Sequence, residues 1–274
     1  MLKDAVFGQY YPVKSPVHRM DSFTKIVLLI IYIVMVFVAK NFWGFLAVGV
    51  FLLVTILASK VPFKSVARSI KAVYFIIAFT FIINIFFHKE EGAKVLWDVW
   101  LLRNITDKSL IYAVFMALRF TLLMFGSSLL TLTSSPVELT NGIEVLLKPL
   151  TIFKIPVHIL ALMMSIALRF IPTLMEETER IINAQKARGA DFESGNIFKR
   201  AKALLPVLIP LLTSALRRAE ELGDAMDARC FSSTTKRTKF KKLTFSWRDL
   251  IGLLFTLATL SAVILCNNFL VAII

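Results

Sequence analysis

The chain reads as an all-α integral membrane protein of about five transmembrane helices, with a charged domain of one short and two long amphipathic helices between the fourth and the fifth. Three observations predict this. Hydrophobic residues make up 57% of the 274 positions, mean hydropathy is +0.74 and there are 24 Phe, whereas soluble domains hold about 45–50% apolar residues. The Lys and Arg residues gather in alternate connections between apolar runs, which is a membrane-topology signal. Residues 134–248 then break the pattern with 18 Lys/Arg and 11 Asp/Glu set into long helical periodicity. The domain boundaries predicted from this are 1–133, 134–246 and 247–274.

A hydrocarbon core about 30 Å thick needs roughly 20 helical residues. The apolar runs Phe23–Ala39, Phe42–Ala58, Ala72–Phe87, Ser109–Thr133 and Leu250–Ile274 supply five candidate spans. Lys3, Lys14, Arg19 and Lys25 flank the first, and Lys60, Lys64, Arg68 and Lys71 precede the third without an acid among them. The connection after span one is only Lys40-Asn41, and His88–Lys108 balances its charges. The positive-inside rule therefore predicts a cytoplasmic N-terminus, a cytoplasmic insert and an external C-terminus. The basic run Lys236–Arg248 is expected to hold span five at the inner face. No cleavable signal peptide is read at the N-terminus.

The insert opens with Ser135, Pro136 and Glu138, the pattern of an N-cap, a proline in the first turn and a capping box. A short amphipathic helix to about Leu147 follows. From Pro156 a long helix carries an apolar stripe of Leu160, Met164, Leu168, Ile171, Met175 and Ile182. It is apolar all round in its first half, charged in its second, and stopped at Gly189 as glycine stops helices. A second long helix starts near Ile197 and contains Pro206 and Pro210, which predict a bend. A shift of 41 residues superposes Glu179, Ala184, Ala187 and Arg188 on Glu220, Ala225, Ala228 and Arg229.

One Arg in the last turn of a helix is ordinary capping against the macrodipole. Two of them, each beside an Ala at the tip of a long helix, predict docking to a cytoplasmic protein. The small neighbour permits close approach, and a guanidinium can bind a carboxylate through two hydrogen bonds. Arg119 and Arg169, both within Ala-Leu-Arg-Phe, lie in apolar surroundings and are candidates for structural ion pairs. Asn84 is expected to bond between helices, and Glu176-Glu177 with Arg180 to form a solvated helix face. Cys230 and Cys266 are far apart, so neither a disulfide framework nor a metal site is expected. Nucleic-acid binding is excluded by the absence of an aromatic-interleaved basic patch. The three His residues and the lack of HExxH, GxSxG or Walker A patterns argue against an enzyme. An alternative on composition alone is a self-contained secondary transporter, which needs a polar site near the midplane.

The segments HRMDSFTK, SPVELTNGIEVLLKPL, IALRFIPTLMEETERIINAQKARGAD and LLPVLIPLLTSALRRAEELGDAMDARCF together resemble the transmembrane T component of energy-coupling factor (ECF) transporters, in its shared-module form. The resemblance implies that the insert is a cytoplasmic coupling domain in the cell membrane of a bacterium. It implies two ATP-binding-cassette ATPase subunits and a membrane S component as partners, the latter binding a vitamin or similar micronutrient. ATP-Mg would be used by the partner ATPases, with no cofactor bound by this chain. The docking residues implied are Ala187, Arg188 and Gly189 at one tip, and Ala228, Arg229 and Cys230 at the other, where Cys230 stands in place of the family's Gly.

Overall fold

A computed structural model describes residues 10–87, 95–97, 105–192, 196–232 and 246–269. The basic stretch 236–245 and the C-terminal residues 270–274 lie outside the described residues. The elements are α1 (Ser22–Val38), α2 (Phe42–Ser59), α3 (Phe63–Phe87), β1 (Val95–Trp97), β2 (Ile105–Thr106), α4 (Asp107–Thr133), α5 (Pro136–Leu147), a 3-10 segment (Lys148–Phe153), α6 (Val157–Ala187), α7 (Ile197–Ala228) and α8 (Trp247–Phe269). The two strands pair antiparallel, Val95 opposite Thr106, in a ribbon the apolar pattern does not announce.

The fold is all-α, as predicted, but its spans differ from the five expected. α2, α4 and α8 are long and apolar enough to cross a membrane, and so is α6, which was expected to belong only to the insert. α1 has 17 residues, the lower end of what a bilayer accepts. α3 begins at Phe63, so Lys64 and Lys71 ride on the helix rather than in a loop, and its apolar part is Val73–Ile85.

The described residues divide into two compact units, one within 10–146 together with 246–269 and one within 147–232. The division falls at Leu146/Leu147, beyond the 133/134 boundary read from the charge pattern, because α5 packs with the first unit. Gly142 of α5 lies so near α1 that an added Cβ would stand 2.9 Å from the Ser22 carbonyl carbon. The capping box forms as predicted: Ser135 Oγ accepts from Glu138 N–H at 3.3 Å, and Glu138 Oε2 accepts from Ser135 N–H at 3.4 Å.

In the first unit α1 and α8 run parallel, tied at both ends. Asp249, fully buried, accepts from the Ser246 amide at 2.7 Å, its own helix's N-cap, and from the Asp21 amide at 2.9 Å, at the start of α1. At the other end Asn267 donates to Val38 O at 2.7 Å. α4 is antiparallel to α1. Lys25, counted in sequence as a flanking charge, is in fact 5% exposed and donates to Thr133 O at 2.8 Å, the negative end of α4, and to His18 O at 3.1 Å. His18 bonds Ser15 Oγ through Nδ1 at 2.7 Å and donates from Nε2 to Tyr11 O at 2.9 Å, and burial lowers its pKa below 6.5. These contacts explain why the HRMDSFTK segment is rich in polar residues at a bundle end.

Arg119 finds a partner other than the ion pair predicted for it. Its Nη2 donates to Ala39 O at 2.9 Å, at the end of α1, and its guanidinium lies 5.5 Å from the Phe45 ring and 5.9 Å from the Phe37 ring. A carbonyl at a helix C-terminus carries partial negative charge and serves in place of a carboxylate. Asn84, expected to bond between helices, donates to Thr80 O of its own helix at 2.8 Å.

The core centres on Tyr32, Met35, Val36, Val48 and Phe51. Tyr32 OH donates to Leu122 O at 2.8 Å, and its ring fills the place a side chain at Gly126 would take: an added Cβ would lie 2.2 Å from Tyr32 Cε1. Gly126→Ala is therefore expected to destabilise the bundle by about 1–3 kcal/mol through overpacking. A thermal-unfolding midpoint in detergent equal to that of the unmodified chain would contradict this.

Candidate functional site

The second unit holds the predicted site residues. α6 has 31 residues and α7 has 32, rods of about 46–48 Å at 1.5 Å per residue. Both remain continuous through their prolines, Pro172 in α6 and Pro206 and Pro210 in α7. Long straight-chain residues and alanines in the charged halves favour the helix, and each charged half ends at an Ala-Arg pair.

The two ends are built alike. At α6 the Gly189 amide donates to Lys186 O at 2.9 Å and the Ala190 amide to Gln185 O at 3.0 Å. At α7 the Cys230 amide donates to Asp227 O at 2.8 Å and the Phe231 amide to Met226 O at 3.0 Å. Both are Schellman terminations, with the residue after the Arg in the left-handed region. Gly189 has φ +87° and Cys230 has φ +52°. Cysteine carries a Cβ and so adopts this conformation at a cost of about 1–2 kcal/mol. The departure from glycine at position 230 leaves the backbone of the tip unchanged.

At both tips the three candidate residues are exposed: Ala187, Arg188 and Gly189, then Ala228, Arg229 and Cys230. Nothing lies within 4 Å of a Cβ placed on Gly189. Among the described residues neither guanidinium has a hydrogen-bond or carboxylate partner. Each tip thus presents five N–H donors beside a flat, small surface. Arg169, by contrast, is exposed on α6 and has no carboxylate partner among the described residues, so the ion pair predicted for it does not form there. Glu176, the next acid on its helix, is seven residues away.

The residue pair that joins the rods was not foreseen. Glu177, expected to belong to a solvated face with Arg180, accepts from Arg218 Nη2 at 2.7 Å and from Ser214 Oγ at 2.5 Å. Glu177 and Arg218 are themselves related by the 41-residue shift. That opposite charges occupy equivalent positions of the repeat was the available signal. Eleven residues separate Glu177 from Arg188 and eleven separate Arg218 from Arg229, so each tip stands about 16 Å along its helix from the shared junction.

Both helices also expose apolar side chains ahead of their charged segments. On α7 Leu204, Leu208, Leu212 and Leu216 form one stripe at four-residue spacing, with Ile209 64% exposed beside it. Leu160, Met163 and Met164 are exposed on α6. Apolar surface of this extent on neighbouring helices marks a contact with lipid or protein.

A multi-pass helical membrane protein with a duplicated pair of long, Arg-tipped helices is the class these features define. The cobalt transport protein family, CbiQ, matches residues 13–240. Curated relatives named energy-coupling factor transporter transmembrane protein EcfT include those of Clostridium kluyveri, 48% identical over 257 residues covering 94% of each chain, and Ruminiclostridium cellulolyticum, 45% identical over 265 residues covering 97% of this chain and 98% of the relative. The Bacillus subtilis relative is 41% identical over 249 residues, 91% of this chain and 93% of its own. The chain belongs to this family, as the transmembrane component of an ECF transporter.

Two substitutions test the termination geometry. Cys230→Gly should slow amide hydrogen exchange at 230 and 231 roughly five-fold by removing about 1 kcal/mol of backbone strain. Gly189→Ala should accelerate exchange at 189 and 190 by a similar factor; unchanged rates in both would contradict the assignment.

Proposed function

We propose that this chain is the coupling subunit of an ECF-type importer, transmitting ATP-driven motion of two cytoplasmic ATPase subunits to a membrane S component that holds the substrate. The observation that carries the reading is the pair of equivalent Arg-bearing tips, each exposed and each closed by the same backbone motif. Two equivalent tips suit two equivalent subunits. Rigid helices joined at Glu177 and Arg218 supply what a two-state nucleotide dimer needs to move something in a membrane, namely defined attachment points on a stiff element.

ATP-Mg is bound and hydrolysed by the partners, and this chain holds no cofactor and does no chemistry. The exposed apolar halves of α6 and α7 are the surface offered to the S component. In the shared-module form one such chain serves several S components, so vitamins or similar micronutrients are the substrate class. The parallel pairing of α1 with α8 supports a C-terminus on the opposite side from the N-terminus. Together with the alternating Lys/Arg bias it supports a cytoplasmic N-terminus and coupling domain and an external C-terminus.

Arg188→Ala or Arg229→Ala should weaken docking of the ATPases about 30-fold, as loss of a well-seated interface Arg does. The double substitution should abolish co-purification and uptake, with membrane insertion intact. Undiminished recovery of the ATPases with the double variant, together with undiminished uptake, would overturn the proposal.

A further inference from the structure

The first unit contains a cavity of about 430 Å³ that the coupling role does not use. Its walls come from α1, α2, α4 and α8 and from the turn before α1, and it reaches inward to Tyr32 and Phe51. Val54, Ala58, Ile251 and Phe255 line it and are exposed, so it opens sideways from the bundle between α2 and α8.

The chemistry of the lining is divided. The hydroxyls of Thr55, Thr133 and Thr256 all donate within their own helices, to Phe51 O, Leu129 O and Gly252 O at 2.7, 2.7 and 3.1 Å, and Tyr32 OH is engaged by Leu122 O. They present hydrocarbon to the cavity, and a polar solute would lose its water without replacement there. At the end nearest the starts of α1 and α8 the lining includes two cations, Lys25 and Arg248, and no carboxylate. Lys25 engages two of its three N–H donors with Thr133 O and His18 O. Arg248 is exposed and has no partner among the described residues. The volume falls in the range of ordinary ligand cavities.

We infer that this cavity binds an anionic glycerophospholipid from the leaflet on the N-terminal side, one acyl chain lying between α2 and α8 and the phosphate resting on Arg248. The tail matches the hydrocarbon lining and the lateral opening. The head matches an end whose lining holds Lys25 and Arg248 and no carboxylate. Glu138, Asp21 and Asp249 lie near Lys25 and offset its charge, which leaves Arg248 as the cation that selects an anionic head. A neutral lipid satisfies the first condition and lacks the second.

The test is native mass spectrometry of the full chain purified in mild detergent and offered equal phosphatidylglycerol and phosphatidylcholine. The unmodified chain should retain one lipid and favour phosphatidylglycerol. Ala58→Phe, which fills the lateral opening, should remove the retained lipid of both kinds. Arg248→Gln should leave total retention unchanged and lower the phosphatidylglycerol preference about five-fold, the effect of one cation near an anionic lipid. Should Ala58→Phe fail to fold, the Arg248→Gln ratio decides alone. A preference unchanged in Arg248→Gln overturns the inference, as does a folded Ala58→Phe that retains lipid like the unmodified chain.

Discussion

Helix ends inside a low-dielectric bundle have backbone groups that nothing outside the protein can satisfy, and this constraint organises the membrane unit. A lost hydrogen bond to a buried peptide group costs about 1–3 kcal/mol. Four polar side chains answer it at three helix ends: Asp249 at the start of α1, Asn267 and Arg119 at its end, and Lys25 at the end of α4. Each reaches across from another helix or back along the chain, so each also fixes which helices are neighbours and in what register. Because Asp249 and Asn267 lie on one helix and grip both ends of α1, the parallel pairing of the first and last helices follows directly.

The same rule of satisfied ends governs the other unit, with a different outcome. There α6 and α7 close their last turns with their own backbone, through the two Schellman motifs, so the Arg side chains are not needed as caps. Arg188 and Arg229 are therefore left free to face outward. Duplication gives two such ends, and the Glu177–Arg218 contact joins the rods at equivalent points. In the proposed lever, this equality of arms lets a symmetric motion of two motor subunits act on one junction.

Much of this was legible in residues. The Ser135 and Glu138 capping box, the stop at Gly189 and the 41-residue repeat all depend on local chemistry that residue type encodes. The partners of Lys25, Arg119 and Asn84 were not legible, because they are backbone carbonyls, and a carbonyl has no letter in a sequence. Lys25 looked like a flanking charge for the same reason. The pairing of Glu177 with Arg218 was hidden by the nearer Arg180, since spacing along one helix is visible and contact between two helices is not. Cys230 carried no signal of its left-handed conformation; only its place in the repeat could suggest it.

Cys230 also allows the central claim to be tested without altering either Arg. Both cysteines are free, and Cys230 is exposed at the second tip. With Cys266 replaced by Ser, a photoactivatable maleimide on Cys230 of the assembled complex should join this chain to an ATPase subunit on illumination. A fully labelled, ATP-hydrolysing complex in which the adduct never includes an ATPase would contradict the account.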